Sequence, residues 1–312
     1  MFSVIQTAEA ILLQSGTSKI EILPHCGAIL NRWTVQMHDR AWDIIDGYES
    51  PADFKLNCEA KGFRSAKLSP YVCRLNESQY DFDGVHYTIG KFKLAGNVIH
   101  GLLYDNVFTV VNSFSDDQAA VVVLQHDYDG SDAGYPFTYT LQVTYVLRSN
   151  NELGINTTVI NTHTASIPIA DGWHPYFSLG DKVNNLAFSM ETDAMVVFND
   201  ALIPTGELEA FHSFQQPTVI GETSLDNCFL LRKPLQHAAC ILTNQKEQIQ
   251  LSIFPDTSYP YLQVYTPPHR NSIAIENLSA APDAFNNSMG LIILEAGETH
   301  AFTTTYKVTP TR

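Results

Sequence analysis

The chain has 312 residues, enough for one large domain or two ordinary ones, and with 45% hydrophobic but only 16% charged residues it can bury a sizeable core. Its formal net charge of −15 argues against nucleic acid and anionic membrane as partners, because both need basic patches, and favours a neutral small molecule over a strongly anionic one. Low charge together with many Thr, Asn, Ser, Tyr and Val residues favours strands over surface helices.

Taken in order, the segments read as strands. Ser18 to Leu23 alternates in part and is stopped by Pro24; Gly27 marks a turn, and Ala28–Leu30 with Trp33–Gln36 look like the partner. Tyr80 to Ile89 carries the best hairpin signal, since Asp83-Gly84 supplies the positive φ of a tight primed turn between two alternating runs. Ala119 to Leu124 is a continuous apolar run suited to a strand buried on both faces. Phe137 to Leu147 is the clearest strand: Phe137, Tyr139, Leu141, Val143, Tyr145 and Leu147 share one face, and Thr138, Thr140, Gln142 and Thr144 the other. Leu153, Ile155, Thr157 and Val159 continue the alternation after an Asn150-Asn151 turn. Further strands are predicted at Ala239–Thr243, Gln248–Phe254, Tyr261–Tyr265, Ser272–Glu276 and Phe302–Val308. No window shows a sustained helical period with caps. Many strands with turn residues between them predict an all-β protein, a large antiparallel β-sandwich in a single domain over residues 1–312.

Five scattered cysteines (Cys26, Cys58, Cys73, Cys228, Cys240) without a C-x-x-C spacing read as reduced thiols rather than a disulfide framework or zinc site. The N-terminus lacks a basic n-region, the Ala10–Leu13 run is too short for an h-region, and no stretch approaches transmembrane length. A soluble, cytoplasmic protein is expected.

Four pieces carry candidate chemistry. In Asp171-Gly172-Trp173-His174-Pro175-Tyr176-Phe177, the proline stiffens the backbone beside a histidine set among aromatic rings, at the end of a strand. Rings suit the apolar face of a sugar, and the imidazole can move a proton; a lone histidine among aromatics is, however, more often a core residue. His100 precedes Gly101, which permits close approach of backbone or ligand. Glu276 follows an apolar strand, where a carboxylate needs either a task or a partner. Asp226-Asn227 fits an Asx turn equally well. Asp127 to Asp132 hints at a calcium loop, but the glycine is misplaced and the position of the terminal glutamate is Thr138, so it reads as a turn. There is no H-E-x-x-H, Gly-rich phosphate loop or G-x-S-x-G, and neither metal nor cofactor is implied.

In this order, Ile99-His100-Gly101, Gly172 to Phe177, Leu225-Asp226-Asn227, Gln263-Val264-Tyr265-Thr266 and Glu276 with Pro282-Asp283-Ala284-Phe285-Asn286 resemble the aldose 1-epimerase (galactose mutarotase) family. Tyr71 to Leu75 lies where the family carries an Asn-Arg-Ile segment, and the resemblance is clearest from about Arg64 onward. It implies a galactose mutarotase-like supersandwich and a monosaccharide substrate. It also implies His174 as general acid, Glu276 as general base, and His100, Arg74, Asp226, Gln263 and Tyr176 as holders of sugar hydroxyls. Those roles require a protonated His174 beside an ionised Glu276. Cys73 stands in place of the family's usual Asn; Tyr104 and Phe108 follow His100-Gly101 where many members have glycine and tryptophan; Asn277 follows the glutamate in place of proline or threonine. These departures bear on substrate more than on reaction. Other readings are a hexose-6-phosphate epimerase using Lys61, Arg64 and Lys67, a non-catalytic carbohydrate-binding sandwich, and a glycosidase pairing Asp226 with Glu276.

Overall fold

A computed structural model describes residues 1–311 apart from Pro234 and Gln236. Two large antiparallel sheets dominate it. A nine-stranded sheet runs, in spatial order, through Thr109–Ser115, Ala119–Tyr128, Tyr139–Arg148, Glu152–Asn161, Thr299–Pro310, Ile249–Pro255, Cys240–Asn244, Ala187–Met190 and Thr218–Val219. The second runs through Pro204–Ala210, Thr192–Phe198, Asp226–Leu231, Tyr261–Tyr265, Ile273–Leu278, Gly172–His174 and Ala66–Leu68, with Tyr176–Phe177 also on Ile273–Leu278. A five-stranded sheet over Ser3–Asp43 flanks them.

Alternation along Tyr139–Arg148 decides which face goes inward: Tyr139, Leu141, Val143, Tyr145 and Leu147 are buried, and the residues between them are half-buried. Each such aliphatic side chain contributes about 1.5–3 kcal/mol relative to exposure. Facing them from the second sheet are residues such as Trp173, Phe177, Leu262, Val264 and Ile275, all in the same core. Polar ties cross the layer as well: Asn277 Oδ1 accepts from Thr304 Oγ1 at 2.9 Å and from Tyr306 Oη at 3.2 Å. The chemistry therefore has to lie on the opposite face of the second sheet.

The expected strands are present with small boundary shifts. Ala28–Leu30 and Trp33–Gln36 prove to be one strand, Ile29–Met37, with a register shift opposite Glu21 and Ile22 that lets two apolar patches share it. Asp83 (φ 49°) and Gly84 (φ 73°) form the primed turn between Gln79–Phe82 and Val85–Thr88. Two short helices were not anticipated. Pro51–Asn57 is capped by Ser50, whose Oγ accepts from Asp53 N at 3.1 Å, but at seven residues it is too brief to show a period. Ala284–Asn287 is a single turn.

Beneath the second sheet, Lys67 is completely buried. Its Nζ donates to Asp171 Oδ1 at 2.6 Å and to the Gly172 carbonyl at 3.0 Å, and lies 4.4 Å from the centre of the Trp173 ring. Tyr259 Oη and Ser279 Oγ complete the set, donating to Asp171 Oδ1 and accepting from Asp171 N. Burial pushes the lysine down to about 8, with Asp171 opposing. Removing one member strands the other charge in the interior. Lys67→Ala is expected to lower the unfolding free energy by about 3–5 kcal/mol. In urea melts, a loss below about 1 kcal/mol, the range of an exposed pair, would contradict this account.

Candidate active site

Strand register builds the site. Cys228 stands opposite Gln263, and Gln263 opposite Glu276. On the other side of Ile273–Leu278, Gly172 pairs with Leu278 and Tyr176 with Ala274, which leaves His174 level with Glu276. Residues opposite one another project from the same face. The result is a cross-strand row, Cys228–Gln263–Glu276–His174. Two residues along each strand lies a second row, Asp226–Tyr265–Ala274–Tyr176. Pro175 separates the two halves of the His174 segment, and the small Ala274 leaves space between the tyrosines.

A wall closes one side. Arg74 pairs with Ile99, and His100 N donates to the Cys73 carbonyl at 2.8 Å. Asp283 fixes this wall from behind: its N–H donates to the Arg74 carbonyl and its Oδ1 accepts from Asn76 N, both at 2.8 Å. The Pro282-Asp283 segment is thus a scaffold for Arg74. Gly101 has φ +77°, and a Cβ there would sit 2.3 Å from the Ser69 carbonyl oxygen; it is backbone that approaches closely.

Wall and sheet enclose an open cleft of about 210 Å³. Arg74, His100, His174, Tyr176, Asp226, Gln263 and Glu276 all line it. His174 Nε2 lies 3.3 Å from Glu276 Oε1. The His174 ring stacks on Tyr176 (5.2 Å between centres, 13°) and meets the His100 ring edge-on at 4.7 Å. Gln263 Nε2 donates to Asp226 Oδ1 at 2.9 Å. His100 Nδ1, His174 Nδ1 and Gln263 Oε1 are buried without a partner, so polar capacity is left for a ligand.

Burial governs the electrostatics. It raises Glu276 well above the ordinary carboxylate value; Asp226 adds to the rise, while Cys73 and Arg74 oppose it. It pushes His174 down to about 4 and holds His100 well below the usual imidazole range. Both partners of the His174–Glu276 contact are therefore driven toward their neutral forms. Burial thus works against the protonated histidine and ionised glutamate expected from the roles. The cause is desolvation, which disfavours an ion pair in a closed floor.

Cys73 Sγ reaches Glu276 Oε2 at 3.9 Å, so this departure does lie in the cleft. The others do not. Tyr104 packs on Phe63 at 5.1 Å, Phe108 is a core residue beside His126, and Asn277 faces the other sheet. Sequence reasoning overlooked Phe63, which has φ +56° and meets His100 edge-on at 4.9 Å; Gly62 before it is the only local signal. The cations proposed for a phosphate are engaged elsewhere: Lys61 with Asp53, Arg64 with Asp46 and Lys67 with Asp171, each at 2.6 Å. Asp127 to Asp132 is a strand end and turn, as expected, with Asp129 Oδ1 accepting from Ser131 N.

The family model for aldose 1-epimerase matches residues 9–307. An Escherichia coli protein described as uncharacterized protein YihR is 25% identical over 242 residues, 75% of each chain. Galactose mutarotase of Sus scrofa is 22% identical over 280 residues, covering 83% of this chain and 75% of its own. Among solved structures, a galactose mutarotase-like protein from Clostridium acetobutylicum superposes with a TM-score of 0.87 at 17% identity, covering 99% of this chain and 98% of its own. Galactose 1-epimerase from Lactobacillus acidophilus gives 0.82 at 19% identity over 100% and 99%. The fold is that of the galactose mutarotase-like proteins, and with a family model spanning nearly its whole length the chain belongs to the aldose 1-epimerase family.

Proposed function

We propose that the protein is an aldose 1-epimerase that interconverts the α and β anomers of a neutral aldose, with residues 1–312 acting as one domain. The observation that carries this reading is the meeting of His174 and Glu276, 3.3 Å apart, in the floor of an open cleft. Glu276 is the general base for the anomeric hydroxyl and His174 the general acid for the ring oxygen. The ring opens to the aldehyde, the C1–C2 bond rotates, and closure on the other face gives the other anomer. One base and one acid suffice. Sugar hydroxyls donating to Glu276 stabilise its ionised form, and the proton it releases passes to His174 across their contact; this is the form that reacts. Arg74 and neutral His100 stabilise the charge that develops on oxygen, and Asp226, Gln263 and Tyr176 hold hydroxyls.

Two observations favour this over the other readings. A binding module has no need of an acid and a base in contact within a buried floor. A phosphate needs free cations, and the three upstream ones already pair with carboxylates. Five free, buried cysteines fit a reducing compartment such as the cytoplasm.

Polarimetry on α-glucose or α-galactose should show the protein speeding mutarotation, with Glu276→Gln and His174→Asn each losing ~10²–10⁴-fold; variants at full rate would remove these roles. The kcat/KM profile gives a second check. Below about 4 both members of the pair hold protons and the base is lost, so activity should rise out of acid with an inflection near pH 4. An inflection near 6.5, the ordinary histidine value, would contradict the buried, neutral His174. Glucose should also exceed glucose 6-phosphate in kcat/KM, and parity between them would sink the neutral-aldose assignment.

A further inference from the structure

The acid–base pair belongs to a larger set of donors. One donor atom from each of His100, His174 and Glu276 lies within 4.8 Å of the other two, and all three side chains are buried. Among the described residues this is the one trio of His, Cys, Asp or Glu side chains so arranged. His100 comes from the wall, and His174 and Glu276 from neighbouring strands of the second sheet. His174 Nε2 and Glu276 Oε1 are 3.3 Å apart. Two ligands bound at ~2.0–2.1 Å to tetrahedral zinc are themselves about 3.3–3.4 Å apart, so one edge of a coordination shell already has its length. His100, at most 4.8 Å from its partners, has to close by no more than about 1.5 Å to reach the same spacing. Its ring already meets that of His174 edge-on.

Ligand type selects the metal. Beside the trio, Cys73 is the one thiol among the described residues lining the cleft, with Sγ 3.9 Å from Glu276 Oε2. Imidazole and thiol favour Zn²⁺ over Mg²⁺ and Ca²⁺, which take shells of oxygen. The surroundings set the strength. His174 Nδ1 is buried without a partner, so the carboxylate or carbonyl that usually backs a metal-bound histidine is missing. Lack of such a partner costs ~10–100-fold in affinity, which suits a reversible ligand rather than a resident cofactor. We propose that the cleft floor is an inhibitory Zn²⁺ site, with His100, His174 and Glu276 as ligands and the fourth position open to the cleft. The metal occupies the atoms through which the acid and the base exchange protons, so an occupied floor has neither. The inhibition rests on the mutarotase reading; the binding does not.

Metal binding and turnover are read separately. Calorimetric titration of EDTA-stripped protein with zinc chloride should show a single saturable site at micromolar concentration, and magnesium chloride should show none. Cobalt chloride in its place should give the strong visible absorption of four-coordinate Co²⁺. His100→Gln, His174→Asn and Glu276→Gln should each weaken Zn²⁺ by more than ~10-fold. His86→Gln, which removes an exposed imidazole beside Asp81, should leave the affinity unchanged. Anomalous diffraction from zinc-soaked wild-type crystals gives the same answer without any variant, should one misfold: the peak should lie among the three donors. The site is refuted if no saturable binding appears, if zinc stays as tight in the three floor variants, or if the peak lies elsewhere. Polarimetry then reports on the parent reading. Where the protein speeds mutarotation, Zn²⁺ should slow it in step with occupancy and EDTA should restore it; an undiminished rate at full occupancy would overturn the inhibition. Zinc bound at the floor of a protein that accelerates no sugar keeps the metal site and removes the mutarotase.

Discussion

Everything at the site depends on one register. Ile273–Leu278 is hydrogen-bonded on both edges, to Tyr261–Tyr265 and to the two short strands around Pro175, and the pairings are such that Gln263, Glu276 and His174 fall in line on one face. A slip of a single residue would turn Glu276 into the apolar core and bring Ile275 or Asn277 into the cleft. What opposes that slip is the other face. Ile273 and Ile275 are buried among aliphatic and aromatic side chains, and Asn277 is bonded to Thr304 and Tyr306 of the facing sheet. The core specifies the site by fixing which side chains cannot be in it.

The same alternation explains the electrostatics. Residues on the cleft side of a sheet that is apolar beneath them sit in a poorly solvated floor, and both His174 and Glu276 are shifted toward neutrality by it. A strongly stabilised ion pair would be a poor place from which to exchange protons with a sugar. Under the proposed roles, a pair held toward neutrality by burial, 3.3 Å apart, would become charged only when hydroxyls arrive, and so would couple substrate binding to activation. Cys73 contributes little to this balance, because a thiol is a weak donor at 3.9 Å.

Much of the fold was legible because strands of period two need only local information. Phe137 to Leu147, the Asp83-Gly84 turn and Tyr261–Tyr265 were each visible from a few consecutive residues. The short elements were not: Thr109–Ser115 is mostly exposed along one edge of its sheet, and Pro51–Asn57 is held by a cap and one buried side chain, Phe54. For the site, the residue types were readable and their meeting was not. His174 and Glu276 are brought together by pairings between distant strands that no local pattern encodes, and only the family resemblance joined them in advance. Lys67 was misread for a related reason. As a lysine near two other cations it resembles a phosphate ligand, whereas its partner, Asp171, is far along the chain and interior.

The bonds from Asn277 to Thr304 and Tyr306 have a consequence for synthesis. Thr299–Pro310 lies in the middle of the nine-stranded sheet, between Glu152–Asn161 and Ile249–Pro255, so two interior edges wait for it. While those residues are still within the ribosome, the sheet is split and the backing of the Glu276 strand is missing. Until Thr299–Pro310 has emerged and paired, the strand that carries Glu276 lacks its backing, and the chain presents unpaired strand edges that a chaperone has reason to cover.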